Sequence, residues 1–441
     1  MRNRLNYEVV IIGGGPSGLS AAIKLAERGV KTLVIERGRF CGSKNVFGGV
    51  IYTSSIKNLV SDFPQVEPFP CERPITEEGF FLISEKGLSK ITFLKKEDTP
   101  QSFSALRAKF DSWLSRVALE KGVDFALKTK VIDLIKNFRG EIKGVVVERP
   151  ESWESSNPAQ ISAKLVIIAE GVNRVLTQKA GLLKRDWSSE EVVLSVKEVI
   201  QIPKNKLEAR LGIGESEGLA VELVGDITLG LPGTGFLYTN QSSLSFGIGV
   251  FLKSLVENKI KPYELLEKAK AHPYFRELFQ EGEILEYSAH LIPEWGLEGF
   301  PNLYGKGVLA VGDAVGLVNP IFREGANLAI YSGIYAAETA YEALKRDDFS
   351  EKTLSMYEEK IKSSYFYKDF LLLKDLKKTL FTSNQWFTFY PQFLNFLLES
   401  YVSSRGREKR EVLREILQEL KRKRGKLGIL RDIIKILKLF W

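Results

Sequence analysis

Four apolar residues in a row, Val9-Val10-Ile11-Ile12, run into Gly13-Gly14-Gly15-Pro16-Ser17-Gly18 near the start of the chain. A short unbroken apolar run closed by glycines predicts a strand buried on both faces. Residues 19–28 follow the helical period, and 32–35 form a second apolar run ending at Glu36. Together they make a βαβ unit of about 30 residues. A glycine-rich stretch, 37–52, comes next, then an irregular region, 61–100, with prolines at 64, 68, 70, 74 and 100. Strands are predicted at 79–84 and 90–94. Between 105 and 121, Leu106, Phe110, Trp113, Leu114, Val117 and Ala118 share one helical face. Short strands follow at 123–127, 131–135 and 142–148. Two further apolar runs, 165–169 and 307–311, end in Glu170-Gly171 and Gly312-Asp313, as buried parallel strands would. Residues 190–290 read as a sheet-rich region, including 245–251, and 325–344 as a helix rich in glycine and alanine. From 346 the chain is helical and dense in aromatics, which suit either a core or an interfacial belt. In the tail, Leu427, Leu430, Ile434, Leu437 and Trp441 recur at 3–4–3–4 spacing, with Arg431, Lys435 and Lys438 on the opposite face.

A chain of 441 residues has room for two or three domains, and 44% hydrophobic residues supply their cores. Its two cysteines, Cys41 and Cys71, cannot hold an iron–sulfur cluster, which needs about four ligands. With only His272 and His290 besides, no zinc site is expected; both histidines read as structural, with a proton relay at His290 as the lesser alternative. The opening apolar run is too short for a secretory signal. Nor does any stretch reach the roughly 18 uncharged apolar residues of a membrane span. The net charge of +8 is localised: residues 401–441 hold 13 Lys+Arg against 5 Asp+Glu, which is the whole excess. A basic amphipathic helix behind Lys421-Arg422-Lys423-Arg424 suits a membrane interface. The alternative is a packing helix against the chain or a subunit. Nucleic acid is a poor fit, because the other residues are neutral and carry no binding motif.

The opening turn has G-x-G-x-x-G spacing in its full context. Gly13 permits the tight turn, Gly15 lets backbone approach a pyrophosphate, and Gly18 lets helix pack on strand. The helix start, with Pro16 and Ser17, offers unpaired N–H groups to phosphate. Glu36 can accept from ribose hydroxyls. The loop after it, with Arg37, Ser43, Lys44, Asn45, Gly48 and Gly49, predicts backbone lying against the ligand. Arg107 is a candidate phosphate contact, or else a solvated surface arginine, and Val131 joins the binding set. In a doubly wound sheet the strand ends meet at the cofactor crevice. Glu170, Gly171, Gly312 and Asp313 should therefore join the opening turn, with a carboxylate accepting from a ribityl hydroxyl. The helix opened by Gly325, Ala326 and Asn327 would face charge developing on a reduced flavin ring. A nicotinamide dehydrogenase has no use for these distal elements, and no second G-x-G-x-x-G exists to seat NAD(P)H. The cofactor expected is FAD.

Further segments sharpen this: residues 42–49 (Gly-Ser-Lys-Asn-Val-Phe-Gly-Gly), Arg107-Ala108-Lys109-Phe110-Asp111, Gly235-Phe236-Leu237-Tyr238, residues 287–294 and 303–307, and Arg323-Glu324-Gly325-Ala326-Asn327. From about residue 7 to 345 the chain resembles the FixC/EtfC-type flavoproteins, relatives of electron-transfer-flavoprotein:quinone oxidoreductase. These belong to the p-hydroxybenzoate-hydroxylase-like branch of the glutathione-reductase FAD superfamily. The resemblance implies an α/β, Rossmann-like FAD-binding domain made of 1–78, 101–184 and 300–345. Residues 79–100 and 185–299 would form an inserted mixed β-sheet domain for substrate or quinone. Residues 346–441 would form a helical C-terminal region. The Pro320–Asn327 turn would approach the isoalloxazine. Gly233, Thr234, Gly235, Phe236 and Tyr238 would shape the quinone pocket, although Thr234 stands where the fused oxidoreductases have glycine. Trp295 likewise stands where glycine is expected. The implied partners are an electron-transfer-flavoprotein α/β heterodimer, a small ferredoxin-like iron–sulfur subunit and a membrane quinone. In related assemblies that heterodimer oxidises NADH and bifurcates the electrons. The chain would sit peripherally on the membrane surface, on the cytoplasmic side. The rival enzymatic reading is a prenyl-lipid reductase of the geranylgeranyl-reductase type. The non-enzymatic rival is a membrane-docking scaffold with structural FAD.

Overall fold

The computed structural model describes residues 5–44, 49–60, 63, 69–85, 87–95, 100–148, 158–294, 301–319, 324–373, 384–403 and 406–437. Contacts divide the chain into two units. The first comprises Met1–Cys71, Gln101–Ser188 and Ile292–Phe370, and the second Glu72–Pro100, Ser189–Leu291 and Leu371–Trp441. The second unit thus begins at Glu72, where the sequence placed the boundary at 79. The stretch after 346 is shared between the units and does not stand apart.

The first unit is built on five parallel strands, in the order Val308–Ala310, Ala159–Ile168, Leu5–Ile12, Thr32–Ile35, Asp124–Ala126. Strands Lys130–Lys136 and Ile142–Glu148 form an antiparallel ribbon that continues from the first half of Ala159–Ile168. Val9, Val10, Ile11 and Leu165 through Ile168 are fully buried. That is why their sequences run apolar without alternation. The register sets Ile12 beside both Ile35 and Ile168, and Ile168 beside Ala310. The three strand ends singled out in the sequence are therefore adjacent.

Helix Pro16–Ala26 packs tightly on the long helix Ala326–Arg346. A Cβ at Gly333 would lie 2.2 Å from the carbonyl oxygen of Ser17, so the two backbones nearly touch. Helix Arg107–Glu120 buries Phe110, Trp113, Leu114, Val117 and Ala118, the face its periodicity predicts. Each large apolar side chain so buried stabilises the unit by about 1.5–3 kcal/mol.

The second unit is a seven-stranded mixed sheet: Glu283–Pro293, Val192–Gln201, Ser243–Phe251, Gly233–Thr239, Leu219–Gly225, Glu77–Ile83, Leu88–Leu94. Leu219–Gly225 and Glu77–Ile83 run parallel. One face carries a core of Phe81, Leu223, Leu237, Phe246 and Ile248, closed by helices Pro262–Ala271 and Pro273–Leu278. These two helices, with Lys204–Leu211 and Leu252–Asn258, interrupt a region the sequence reads as rich in sheet. Helix Phe389–Val402 lies on the same unit, where Asn395 donates to the carbonyl of Leu82 at 3.0 Å and accepts from the Ser89 hydroxyl. Helices Lys409–Arg424 and Lys426–Leu437 end the described chain. Among the described residues no helix is long and apolar enough to cross a membrane.

Candidate functional site

The glycines of the opening turn answer to different neighbours. Gly13 has φ +109°, and a Cβ there would meet the Ala169 carbonyl oxygen at 2.2 Å. At Gly18 a Cβ would meet the Gly13 oxygen at 2.1 Å. Both are demanded by the fold. A Cβ at Gly15 would meet nothing within 4 Å. The fold itself sets no demand for glycine there. Gly15 also begins the helix, no side chain caps it, and Pro16 takes the first position. The next two amides, of Ser17 and Gly18, have no acceptor inside the helix, whose first bond is Leu19 N–H to Gly15 O at 2.9 Å.

Glu36 closes the turn from the neighbouring strand. One oxygen accepts from Gly14 N–H at 2.9 Å and the other from Gly38 N–H at 2.6 Å. Each retains a lone pair for a hydroxyl. The loop that follows lies on the start of helix Arg107–Glu120, with the Gly42 backbone against Ala108 and Asp111. Cys41 is buried there. Burial first, then Glu36 and Asp111, push its thiol up to about 12, so it stays protonated and unreactive. Ser43 Oγ is buried with no hydrogen-bond partner among the described residues. Arg37 and Lys44 are exposed, and Gly49 accepts from Ala105 N–H at 2.7 Å. Arg107 is not a solvated arginine: its guanidinium makes two 2.8 Å bonds to the buried carboxylate of Asp111. Burial raises that carboxyl and Arg107 opposes the rise. Val131 is half-buried and pairs with Val147. Asn45, Gly48 and Pro320 lie outside the described residues.

The distal segments join the turn through the backbone, Ala169 N–H to Ile12 O at 2.8 Å and Val311 N–H to Ile168 O at 3.0 Å. Gly312 donates to Ser332 Oγ at 3.0 Å, which ties the third strand end to the long helix. Half-buried Asp313 follows it. Glu170 departs from expectation. Its carboxylate accepts from Leu176 N–H (3.0 Å), Thr177 N–H (2.6 Å) and Thr177 Oγ1 (2.7 Å). It is engaged with the first turn of helix Val175–Lys179, whose amides compete successfully for it. Gly171 turns the chain there with φ +72°. Asn327 also serves the scaffold, as its Oδ1 accepts from Tyr52 N–H at 2.9 Å and Ser55 Oγ at 3.0 Å. The long helix opens at Gly325, again uncapped by a side chain and with open space where a Cβ would stand; Ala326 is half-buried. Ser332, Gly333, Tyr52 and Ser55 were not found by sequence reasoning. The small-residue pair Ser332-Gly333 inside a helix was the one signal, and only for those two.

In the second unit the five expected pocket residues divide by sheet face. Gly233 and Gly235 turn to the core side with Leu237, while Thr234, Phe236 and Tyr238 share the opposite face. The rings of Phe236 and Tyr238 stack at 5.5 Å and 14°. Gly247, opposite Phe236 on the next strand, makes room, since a Cβ there would lie 2.3 Å from the ring. Glycine inside a strand was the signal for that residue. His272 Nε2 lies 3.1 Å from the Ser84 carbonyl oxygen, a structural contact.

Residues 8–172 match the family model of FAD dependent oxidoreductases, and 376–441 match the ETF-QO/FixC family C-terminal domain. Protein FixC of Azorhizobium caulinodans is 35% identical over 434 residues, spanning 97% of this chain and 98% of that protein. The chain belongs to the FixC family. FixC of Azotobacter vinelandii is likewise 35% identical, over 99% of this chain and 98% of its own length. The likeness therefore continues past residue 345, where the motifs ceased to be clear. A geranylgeranyl bacteriochlorophyll reductase-like protein from Thermoplasma acidophilum shares the fold, with TM-score 0.73 and 22% identity over 95% of this chain and 99% of that one. So does the flavin-dependent brominase Bmp2, with TM-score 0.64 and 20% identity over 95% and 100%. This FixC-family chain is a flavin-dependent oxidoreductase, its cofactor is FAD, and its role is electron transfer. The Rossmann-like α/β class and the cofactor read from the sequence are both borne out.

Proposed function

We propose that this chain passes electrons from an electron-transfer flavoprotein to a membrane quinone. The residues present suit FAD: open space above Gly15, two uncapped helix starts and an unpaired buried hydroxyl at Ser43 match an anionic, hydroxyl-rich ligand. The pyrophosphate would lie on Gly13, Gly15, Ser17 and Gly18, with a ribose at Glu36 and a ribityl hydroxyl at Asp313. Arg107 would stand near the phosphates. The Ser43–Gly49 loop and the Gly325–Asn327 helix start would border the isoalloxazine. Bound FAD supplies the chemistry, because it takes electrons singly or in pairs. The chain's own residues bind it, orient it and keep Cys41 out of the redox reaction. The stacked pair Phe236–Tyr238 offers an aromatic wall for a quinone ring.

The observation that carries the reading is in the tail. Leu427, Leu430, Ile433 and Ile434 are exposed on helix Lys426–Leu437, behind the cationic run 421–424. In a FixC-family chain, an outward apolar row with cations beside it points the electron path to a lipid surface. With two cysteines, this chain leaves iron–sulfur chemistry to a ferredoxin-like subunit, and any NADH oxidation or bifurcation to the flavoprotein heterodimer. The membrane side would be cytoplasmic and the attachment peripheral.

Native purification followed by flavin spectroscopy tests this. The heterodimer and a small iron–sulfur chain should co-elute, and a quinone analogue should reoxidise the reduced FAD. Reoxidation by a prenyl-chain double bond in place of quinone would identify a prenyl-lipid reductase. A flavin that neither donor flavoprotein nor quinone can turn over would leave only a scaffold.

A further inference from the structure

One buried carboxyl of the first unit has no part in the FAD seat described above. Glu324 immediately precedes the Gly325 start of the long helix and is 6% exposed. Its backbone is pinned by paired bonds to Asn319, at 3.0 and 3.2 Å. The Tyr365 hydroxyl donates to Glu324 Oε1 at 3.5 Å, the outer limit of hydrogen-bond range. Tyr365 itself is 47% exposed. The phenol therefore stands between a buried carboxyl and solvent. Asp369, one turn further along the helix Tyr365–Leu373, adds a second negative charge. Among the described residues, Tyr331 of the long helix, 6.0 Å from the Tyr365 ring, and Tyr52 also face the pair. Arg323 lies outside the described residues. Burial, then Asp369, push the Glu324 carboxyl up to about 7, and the Tyr365 bond pulls it back.

We propose that Glu324 is a proton-holding residue beside the flavin, filled from solvent by way of Tyr365, and that it takes up one proton when an electron pair enters the bound FAD. The proposal rests on seating the isoalloxazine at the Gly325–Asn327 helix start. In the balanced step, a reduced electron-carrier protein loses two electrons and the FAD gains both, with the proton it draws from water. The Glu324 carboxylate gains one further proton from water. No other group changes oxidation state, and reoxidation returns the proton by the same path. The cause is electrostatic. An incoming electron pair adds negative charge at a helix N-terminus that favours it, while an ionised carboxylate next to that terminus opposes it. Protonating Glu324 removes the opposition.

Flavin potentials measured against pH in wild type, E324Q and Y365F test the proposal. One extra proton per electron pair moves a two-electron potential by about 30 mV for each tenfold change in proton concentration. Above about pH 7 the wild-type line should be steeper than that of E324Q by this amount, and below it the two should run parallel. Equal slopes at every pH would overturn the coupling. Y365F keeps the carboxyl and loses the bond that lowers it, so its break should move to higher pH; an unmoved break removes Tyr365 from the path. In flavin-free protein, infrared spectroscopy should show a carboxyl titrating near neutrality that E324Q lacks. Wild type that binds FAD but shows no such carboxyl sinks the proton role alone. Wild type that binds no FAD sinks the seat on which the proposal rests.

Discussion

At the scale of single residues, the opening glycines make the sharpest test of where the ligand lies. Gly13 is fixed by its positive φ and by the Ala169 carbonyl 2.2 Å from a would-be Cβ. Gly13→Ala should cost about 2–4 kcal/mol, as strain and overpacking together do, and lower the thermal midpoint of the flavin-free protein. Gly15 has open space around it. Gly15→Ala should leave the stability read from that midpoint within about 1 kcal/mol of wild type. It should still weaken FAD retention tenfold or more, about 1.4 kcal/mol, in a fluorescence titration. If Gly15→Ala held FAD as wild type does, the pyrophosphate would not lie on this turn. The turn was legible in sequence because its spacing and flanking elements constrain one another. Glu170 was not legible. An acidic residue after a buried strand looks alike whether its carboxylate meets a ligand or, as here, the amides of Leu176 and Thr177. Sequence supplies the acceptor but not the nearest donor.

The same limit holds for whole elements. Long runs with a clear period were readable, including the helix Arg107–Glu120 and the fully buried parallel strands. Short helices of six to ten residues inside the second unit were not, since so few turns show no period. Proline at the first position of two of them was the remaining sign. The tail gives an instance with consequences. Arg424 looks like one more surface cation in the run 421–424. It makes two 2.6 Å bonds to Asp432, whose side chain is 1% exposed and also accepts from Tyr390 at 2.7 Å. The three residues clamp the two tail helices onto Phe389–Val402. Asp432→Asn should cost about 1.5–3 kcal/mol locally, because it takes the charge from the hydrogen bonds of a partly buried Arg424. Hydrogen exchange across 409–437 should accelerate while the flavin spectrum stays fixed; unchanged protection there would refute the clamp. Arg424, then Tyr390, hold the Asp432 carboxyl below its usual range. A depressed carboxyl contributes stability above its unfolded value, about pH 4, and loses it as pH falls through the lower folded value. Wild-type tail protection should therefore decay on acidification below about pH 4, and Asp432→Asn should lack that transition.

Over the whole molecule, the net charge falls on the tail, which also carries a row of exposed apolar side chains, and the two contributions can be measured apart. The excess of eight positive charges falls within 401–441. The clamp takes Arg424 out of the outward-facing set, and Arg422 and Lys423 share Glu419 in exposed pairs that anionic lipid can compete for. The apolar row Leu427, Leu430, Ile433 and Ile434 faces outward on the next helix. Each cation near an anionic bilayer contributes about 1 kcal/mol. Replacing Lys421, Arg422 and Lys423 with Gln should then weaken binding to anionic vesicles by up to about 100-fold, the equivalent of about 3 kcal/mol. Salt should weaken wild type towards the same level, because the charge term is screened beyond about 10 Å at 0.1 M. On zwitterionic vesicles the charge variant and wild type should bind alike. Leu430→Glu with Ile434→Glu removes the apolar contact and should abolish binding to both vesicle types at every salt concentration. Both positions are solvent-facing, so the fold should hold. Deleting 425–441 should release the chain as the double Glu variant does. If all three variants sediment with anionic vesicles like wild type, the row is not a lipid face. Loss of co-elution with the other subunits in the double Glu variant would then make it the docking face for one of them.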